Sequence, residues 1–207
     1  MTTVTSPHDL LNALPFLIGY HPTNSLVLLS VKDDVLEMAM RIDYPINPTD
    51  GTFKLLASHL RRDGSDGALA VAYQPTNIRD GETILARLAD AISAIDLPIR
   101  ELILVRDGRF RSMLCSDQSC CPPEGSPMPT FEETRIAAEQ VAQGKPLPFP
   151  NLEKLLESIK NESNEEIKSF VKKIKPINYK ADGVRVLQRE GALAVNDLAA
   201  EFAEKGI

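Results

Sequence analysis

The chain has 207 residues, 43% of them hydrophobic and 25% charged, a composition that carries at least one packed core and argues against disorder along its whole length. A formal net charge of −6 disfavours a nucleic-acid-binding domain, which needs a basic patch to meet phosphates. The longest apolar stretches, such as residues 26–29 and 102–105, are far too short to span a bilayer, and residues 1–11 hold no Lys or Arg ahead of an apolar run; the expected compartment is the cytoplasm, with no membrane partner.

Ser6-Pro7-His8-Asp9 reads as a helix start. Ser6 suits the cap, Pro7 the first helical position and Asp9 the positive end of the dipole. Leu10, Leu11, Leu14 and Leu17 fall on one face, and Pro15 is expected to end or kink the helix just before it. After a turn over residues 19–24, residues 25–31 form a continuous apolar run, which suggests a strand buried on both faces. Leu36, Met38, Met40 and Ile42 alternate with polar or small residues, so the next segment reads as a strand with one wetter face, paired to the first as a hairpin.

Residues 52–62 read as a helix, with Phe53, Leu56 and Leu60 at helical spacing, ended by Asp63-Gly64-Ser65-Asp66-Gly67. Residues 68–73 form another short apolar strand. A clear amphipathic helix follows to Ile95, with Ile84, Leu85, Leu88, Ile92 and Ile95 inward. Pro98 leads into a strand over residues 99–105. Further helices are expected over residues 132–143, 152–160, 165–174 and 196–204, their Glu- and Lys-rich faces solvated.

The order α-β-β-α-β-α-β-β predicts an α/β fold, a mixed β-sheet flanked by helices. Right-handed crossovers place the two crossover helices on one face, leaving the other to the N- and C-terminal helices. The expected organisation is an α/β domain over residues 1–130 and a helical C-terminal region over residues 131–207, packed on the same domain.

Asp107-Gly108 between extended runs is a preferred two-residue hairpin turn, because both positions tolerate positive φ. In that register Arg106 faces Arg109 and Leu104 faces Arg111, so all three arginines share one face. Like charges set opposite one another are unfavourable, and solvent, a carboxylate or an anionic ligand must offset them. Two readings stand: a charged, solvated hairpin tip, or an anion site built on forked guanidinium groups.

Three cysteines, Cys115, Cys120 and Cys121, sit in one short segment that runs on into Pro122-Pro123-Glu124-Gly125. An odd, clustered count is unlike a secreted disulfide scaffold, and in a reducing compartment these are expected to be thiols. The spacing argues against zinc, since no Cys-x-x-Cys pair exists and His8, His21 and His59 are remote in sequence. A redox role needs Cys115 to reach one of the other two across the turn, because adjacent cysteines bridge only with strain. The favoured expectation is plainer: small thiols buried beneath the Pro-Pro turn, anchoring the helical half.

The chain carries no phosphate-binding Gly-x-x-x-x-Gly-Lys-Ser/Thr loop, no Gly-x-Gly-x-x-Gly and no Gly-x-Ser-x-Gly elbow. His21 and Asn24 lie in the turn before a buried strand, a place where ligand-binding loops occur. No catalytic residue, metal ligand or cofactor is assigned on these grounds.

The segments Asp9 to Pro22, Ser25-Leu-Val-Leu, Arg41-Ile-Asp-Tyr-Pro45, Asp107-Gly-Arg-Phe-Arg-Ser112, Cys115 and Cys120-Cys-Pro-Pro-Glu-Gly125 together resemble the actinobacterial domain of unknown function 4192 family. The resemblance covers residues 9–144, and the Arg-Ser…Cys…Cys-Cys-Pro segment is its most specific part. Met113 stands where an aromatic residue is expected. The resemblance implies an actinobacterial, cytoplasmic origin and draws attention to the hairpin, while carrying over no activity.

Three readings follow. The first is a non-catalytic binding or regulatory protein that engages a small anionic ligand or a protein partner through Arg106, Arg109, Arg111 and Ser112, with His21 and Asn24 across a pocket. The second is an enzyme with a thiol site at Cys115, Cys120 and Cys121. The third is a structural protein that forms a homo-oligomer.

Overall fold

The computed structural model describes residues 6–33, 35–131 and 134–159. The helices expected over residues 165–174 and 196–204 lie outside the described residues.

Helix α1 (Pro7–Ile18) begins as expected: Ser6 is extended and its hydroxyl accepts from the Asp9 N–H at 3.1 Å. Contrary to expectation the helix runs through Pro15. The proline sits in the last turn, where its ring removes one backbone bond, and burial of Leu10, Leu11 and Leu14 against the sheet outweighs that loss. Its own carbonyl accepts from the N–H of Gly19, which ends the helix at φ 86°.

Strands β1 (Ser25–Lys32) and β2 (Val35–Asp43) pair antiparallel. Helix α2 (Asp50–Asp63) then leads to β3 (Gly67–Tyr73), and α3 (Gly81–Ser93) to β4 (Ile99–Arg106). The chain continues through β5 (Arg109–Ser112) and β6 (Ser126–Pro127) to α4 (Arg135–Ala142) and α5 (Leu152–Ile159).

The strands form one six-stranded mixed sheet in the order β2-β1-β3-β4-β5-β6, with β3 and β4 parallel and the other neighbours antiparallel. Both crossovers, β2-α2-β3 and β3-α3-β4, step across the sheet in the same direction. A single hand therefore puts α2 and α3 on one face. Phe53, Leu56 and Leu60 of α2 and Ile84, Leu85 and Leu88 of α3 pack there on Leu26, Leu28, Ala70 and Leu102. On the other face Leu10, Leu11 and Leu14 of α1 cover Val27, Leu29, Val71 and Ile103, and α4 lies against α1. The interior strand β1 is buried from Ser25 to Val31, as its largely apolar run predicts. No helix among the described residues is long and apolar enough to cross a membrane.

Candidate functional site

The hairpin after β4 has the expected register: Arg106 pairs with Arg109 and Leu104 with Arg111. Asp107 and Gly108 take φ values of 51° and 73°, the left-handed pair of a type I′ turn. The three arginines thus project from one face. At the tip, Asp107 forms an ion pair with Arg79 at 3.2 Å.

Two of the arginines turn to the cysteine segment. Nε of Arg109 donates to the carbonyls of Glu124 (3.1 Å) and Gly125 (2.9 Å). Arg111 donates to the Pro123 carbonyl at 3.3 Å and, through its other terminal nitrogen, to Glu82 at 2.6 Å. Charged donors thus meet three successive backbone acceptors, which offsets the crowding of like charge and fastens residues 123–125 beside β5. The Arg106 side chain has no hydrogen-bond or ion-pair partner among the described residues; it borders a crevice of about 20 Å³ with Arg109 and Arg111, room for a water.

Gly125 makes that docking possible. Its φ is 78°, and a Cβ there would stand 2.7 Å from the Phe110 carbonyl oxygen, so no other residue fits without moving β5. Past it, β6 pairs with β5 at Arg109–Pro127 and Phe110–Ser126.

Ser112 secures the other end. It is 3% exposed, and its hydroxyl donates to Glu101 at 2.7 Å while accepting the N–H groups of Leu114 and Cys115, both at 3.2 Å. Between the two anchors Asp117 organises the turn. Its carboxylate accepts from the Ser119 N–H (2.8 Å) and hydroxyl (2.7 Å), an Asx turn, and its carbonyl accepts from the Cys121 N–H at 2.8 Å.

This scaffold gathers the three thiols. Cys115 Sγ lies 3.1 Å from Cys120 Sγ, which lies 3.6 Å from Cys121 Sγ, and all three sulfurs fall within 4.8 Å of one another. The expectation of thiols buried under prolines is corrected here. Cys120 is exposed, Cys115 and Cys121 are half-buried, and Pro123 is itself exposed. The reason is that hydrogen bonds, rather than an apolar lid, hold this segment, and residues 116–119 between the cysteines are all polar and exposed.

The thiols also differ electrically. Cys115 is lowered from its ordinary value, first by its hydrogen bond with Cys121, then by those with Cys120 and the Asp117 backbone. Cys120 is raised, chiefly by its bond with Cys115, and Cys121 is pushed up to about 12 by the Cys115 bond and by burial. The order of proton loss therefore favours Cys115. Cys115 and Cys121 border an open pocket of about 210 Å³ with Arg111, Met113 and Gln118.

His21 and Asn24 are held by other parts of the chain. The His21 N–H donates to the Phe149 carbonyl and its ring meets Phe131 edge-on, with centroids 4.5 Å apart. Asn24 is an exposed turn residue at φ 45° whose carbonyl accepts from the Tyr44 N–H. Four contributors escaped the sequence reading: Glu82, Glu101, Asp117 and Ser119. The Asp-x-Ser spacing of the last two is a recognisable Asx-turn signal. No local pattern announces the other two, since Glu82 meets Arg111 across 29 positions and Glu101 meets Ser112 across 11.

A family model described as Domain of unknown function (DUF4192) matches residues 7–204, a longer span than the segments that carry the resemblance. No curated protein matches the chain.

Proposed function

Since the chain belongs to the domain of unknown function 4192 family, which brings no activity with it, we propose from the site itself that this is a non-catalytic metal-binding protein of the cytoplasm. Its ligand is a thiophilic closed-shell cation such as zinc, held by Cys115, Cys120 and Cys121. The observation that carries the reading is the convergence of three sulfurs within 4.8 Å. Zinc–sulfur bonds of about 2.3 Å set sulfur–sulfur edges of ~3.8 Å in a tetrahedron; the separations of 3.1 and 3.6 Å are both shorter, and small side-chain rotations would open them to that edge.

The missing Cys-x-x-Cys pair matters less than sequence spacing suggests, because the Asp117 turn replaces a knuckle by bringing residues five and six positions apart to one point. Three thiolates and a divalent ion leave one excess negative charge, and Arg111, which is shared with Glu82, borders the pocket beside it. Cys115 and Cys121 border that pocket, from which a fourth ligand, water or an incoming group, would be drawn.

Metal analysis of protein purified without chelators tests the reading. One metal per chain is expected, with thiolate-to-cobalt charge-transfer bands after cobalt substitution. Each cysteine-to-serine change should weaken retention. Protein that holds no metal after zinc is supplied to its reduced thiols would dispose of it.

A second reading rests on Arg106, whose guanidinium is unpartnered among the described residues: a small anion on the hairpin face. Thermal stabilisation by inorganic phosphate that disappears in Arg106→Ala would support it, and an unmoved melting temperature in the parent protein would end it.

A further inference from the structure

The three sulfurs are unequal neighbours. Cys115 and Cys120 are 3.1 Å apart, closer than the 3.6 Å between Cys120 and Cys121. Cys120 is exposed and Cys115 borders an open pocket, so a small oxidant reaches both. A disulfide places its sulfurs about 2.05 Å apart, so the pair closes by roughly 1 Å, within the reach of a side-chain rotation at Cys120. Bridging Cys120 to its sequence neighbour Cys121 would instead strain the peptide between them. The segment from Cys115 to Cys120 is short and already fixed at its ends by Ser112 and by the Asp117–Cys121 bond, so closing the loop costs little further entropy.

We propose that Cys115 and Cys120 form a reversible thiol–disulfide switch, driven by hydroperoxide, that dismantles the metal site. The inference rests on the metal reading for its consequence, while the link itself needs only the two thiols. Cys115 sulfur attacks a peroxide oxygen. The O–O bond breaks, Cys115 becomes a sulfenic acid, and the leaving hydroxide becomes water, with a proton from the thiol in the metal-free protein and from solvent where the sulfur is a metal-bound thiolate. Cys120 sulfur then attacks the Cys115 sulfur; the S–OH bond breaks, the S–S bond forms, and the hydroxyl leaves as a second water, with the Cys120 proton in the metal-free protein and a solvent proton where Cys120 is a metal-bound thiolate. Two electrons have passed from the thiol pair to the peroxide. The cation is left with Cys121 alone and dissociates. A dithiol reductant restores the site.

The test treats the full chain, metal-stripped and zinc-loaded in parallel, with hydrogen peroxide, followed by intact mass, thiol titration, peptide mapping and a colorimetric zinc assay. The expected result is a loss of two hydrogens, a fall from three titratable thiols to one, a mapped Cys115–Cys120 link reversed by dithiothreitol, and zinc release in step with the link. Cys121→Ser should keep the link in the stripped protein, and Cys115→Ser and Cys120→Ser should abolish it. Three thiols that survive peroxide, an unlinked Cys115 sulfinic acid, or a link to Cys121 would each overturn the switch. If the link forms in protein that never bound zinc, the metal reading falls and the thiol switch stands. If zinc binds and the stripped protein forms no link, the switch alone falls.

Discussion

In the middle of the sheet, β1, β3 and β4 are sandwiched between helices. Leu28, Ala70 and Leu88 are each no more than 1% exposed there, and the fold is held by apolar area removed from water. Beyond Ser112 the physics changes. Residues 113–125 have little to bury, and guanidinium, hydroxyl and carboxylate groups place the backbone atom by atom. Nonpolar burial gives strength without direction, while hydrogen bonds give direction with modest strength. A site that must bring three sulfurs to one point needs the second kind, hung from a frame made by the first.

That contrast is sharpest where stability and site occupancy respond differently to mutation. Leu88→Ala, in the fully buried α3 face, should cost about 2–5 kcal/mol of unfolding free energy by chemical denaturation. Zinc stoichiometry measured below the transition should be unchanged. Ser112→Ala strikes the joint between the two regions: it strands the N–H groups of Leu114 and Cys115 and takes one of two donors from Glu101, which keeps the Leu102 N–H. A loss of about 1–3 kcal/mol in stability is expected, accompanied by weaker metal retention in a chelator competition.

The double change Arg109→Ala, Arg111→Ala should separate the regions cleanly. Metal affinity should fall by about 10–100-fold, as when groups that orient ligands are removed, with under about 1 kcal/mol lost from global stability. If instead the denaturation midpoint collapses while zinc is retained, the arginines are structural posts and the two-region picture is wrong. The smallest effect concerns pH. The hydrogen bond and charge of Arg87 hold the exposed Asp50 carboxyl below its ordinary value. A depressed carboxyl contributes stability above its unfolded value and loses it as pH falls through the folded one. Asp50→Asn should slightly flatten the acid limb of a thermal-melting profile and leave neutral-pH zinc binding alone.

The same division governs what could be read from the chain. The element order, the double-sided burial of β1 and the arginine pairing across Asp107-Gly108 were all legible, because periodicity and turn chemistry are local properties. Pro15 misled, since its local cost is real and only tertiary packing of Leu10, Leu11 and Leu14 outweighs it. Proline density around the cysteines suggested cover where there is exposure, because prolines fix backbone direction without supplying a lid. β6 left no pattern to find in two residues. The convergence of thiols was hidden for another reason: it depends on anchors at Ser112 and Gly125 that bend the chain back on β5.

The return to β5 also limits how the strands of two copies could pair. β6 is the outermost strand on that side of the sheet, only two residues long, and its second residue, Pro127, has no N–H to offer. The turn that collects the sulfurs therefore seals one sheet edge against strand addition. The nine-residue β2 stands at the opposite end of the sheet order. Among the described residues, any strand pairing between copies would have to use that margin, away from the thiols, so a growing sheet would leave the cysteine turn in contact with solvent.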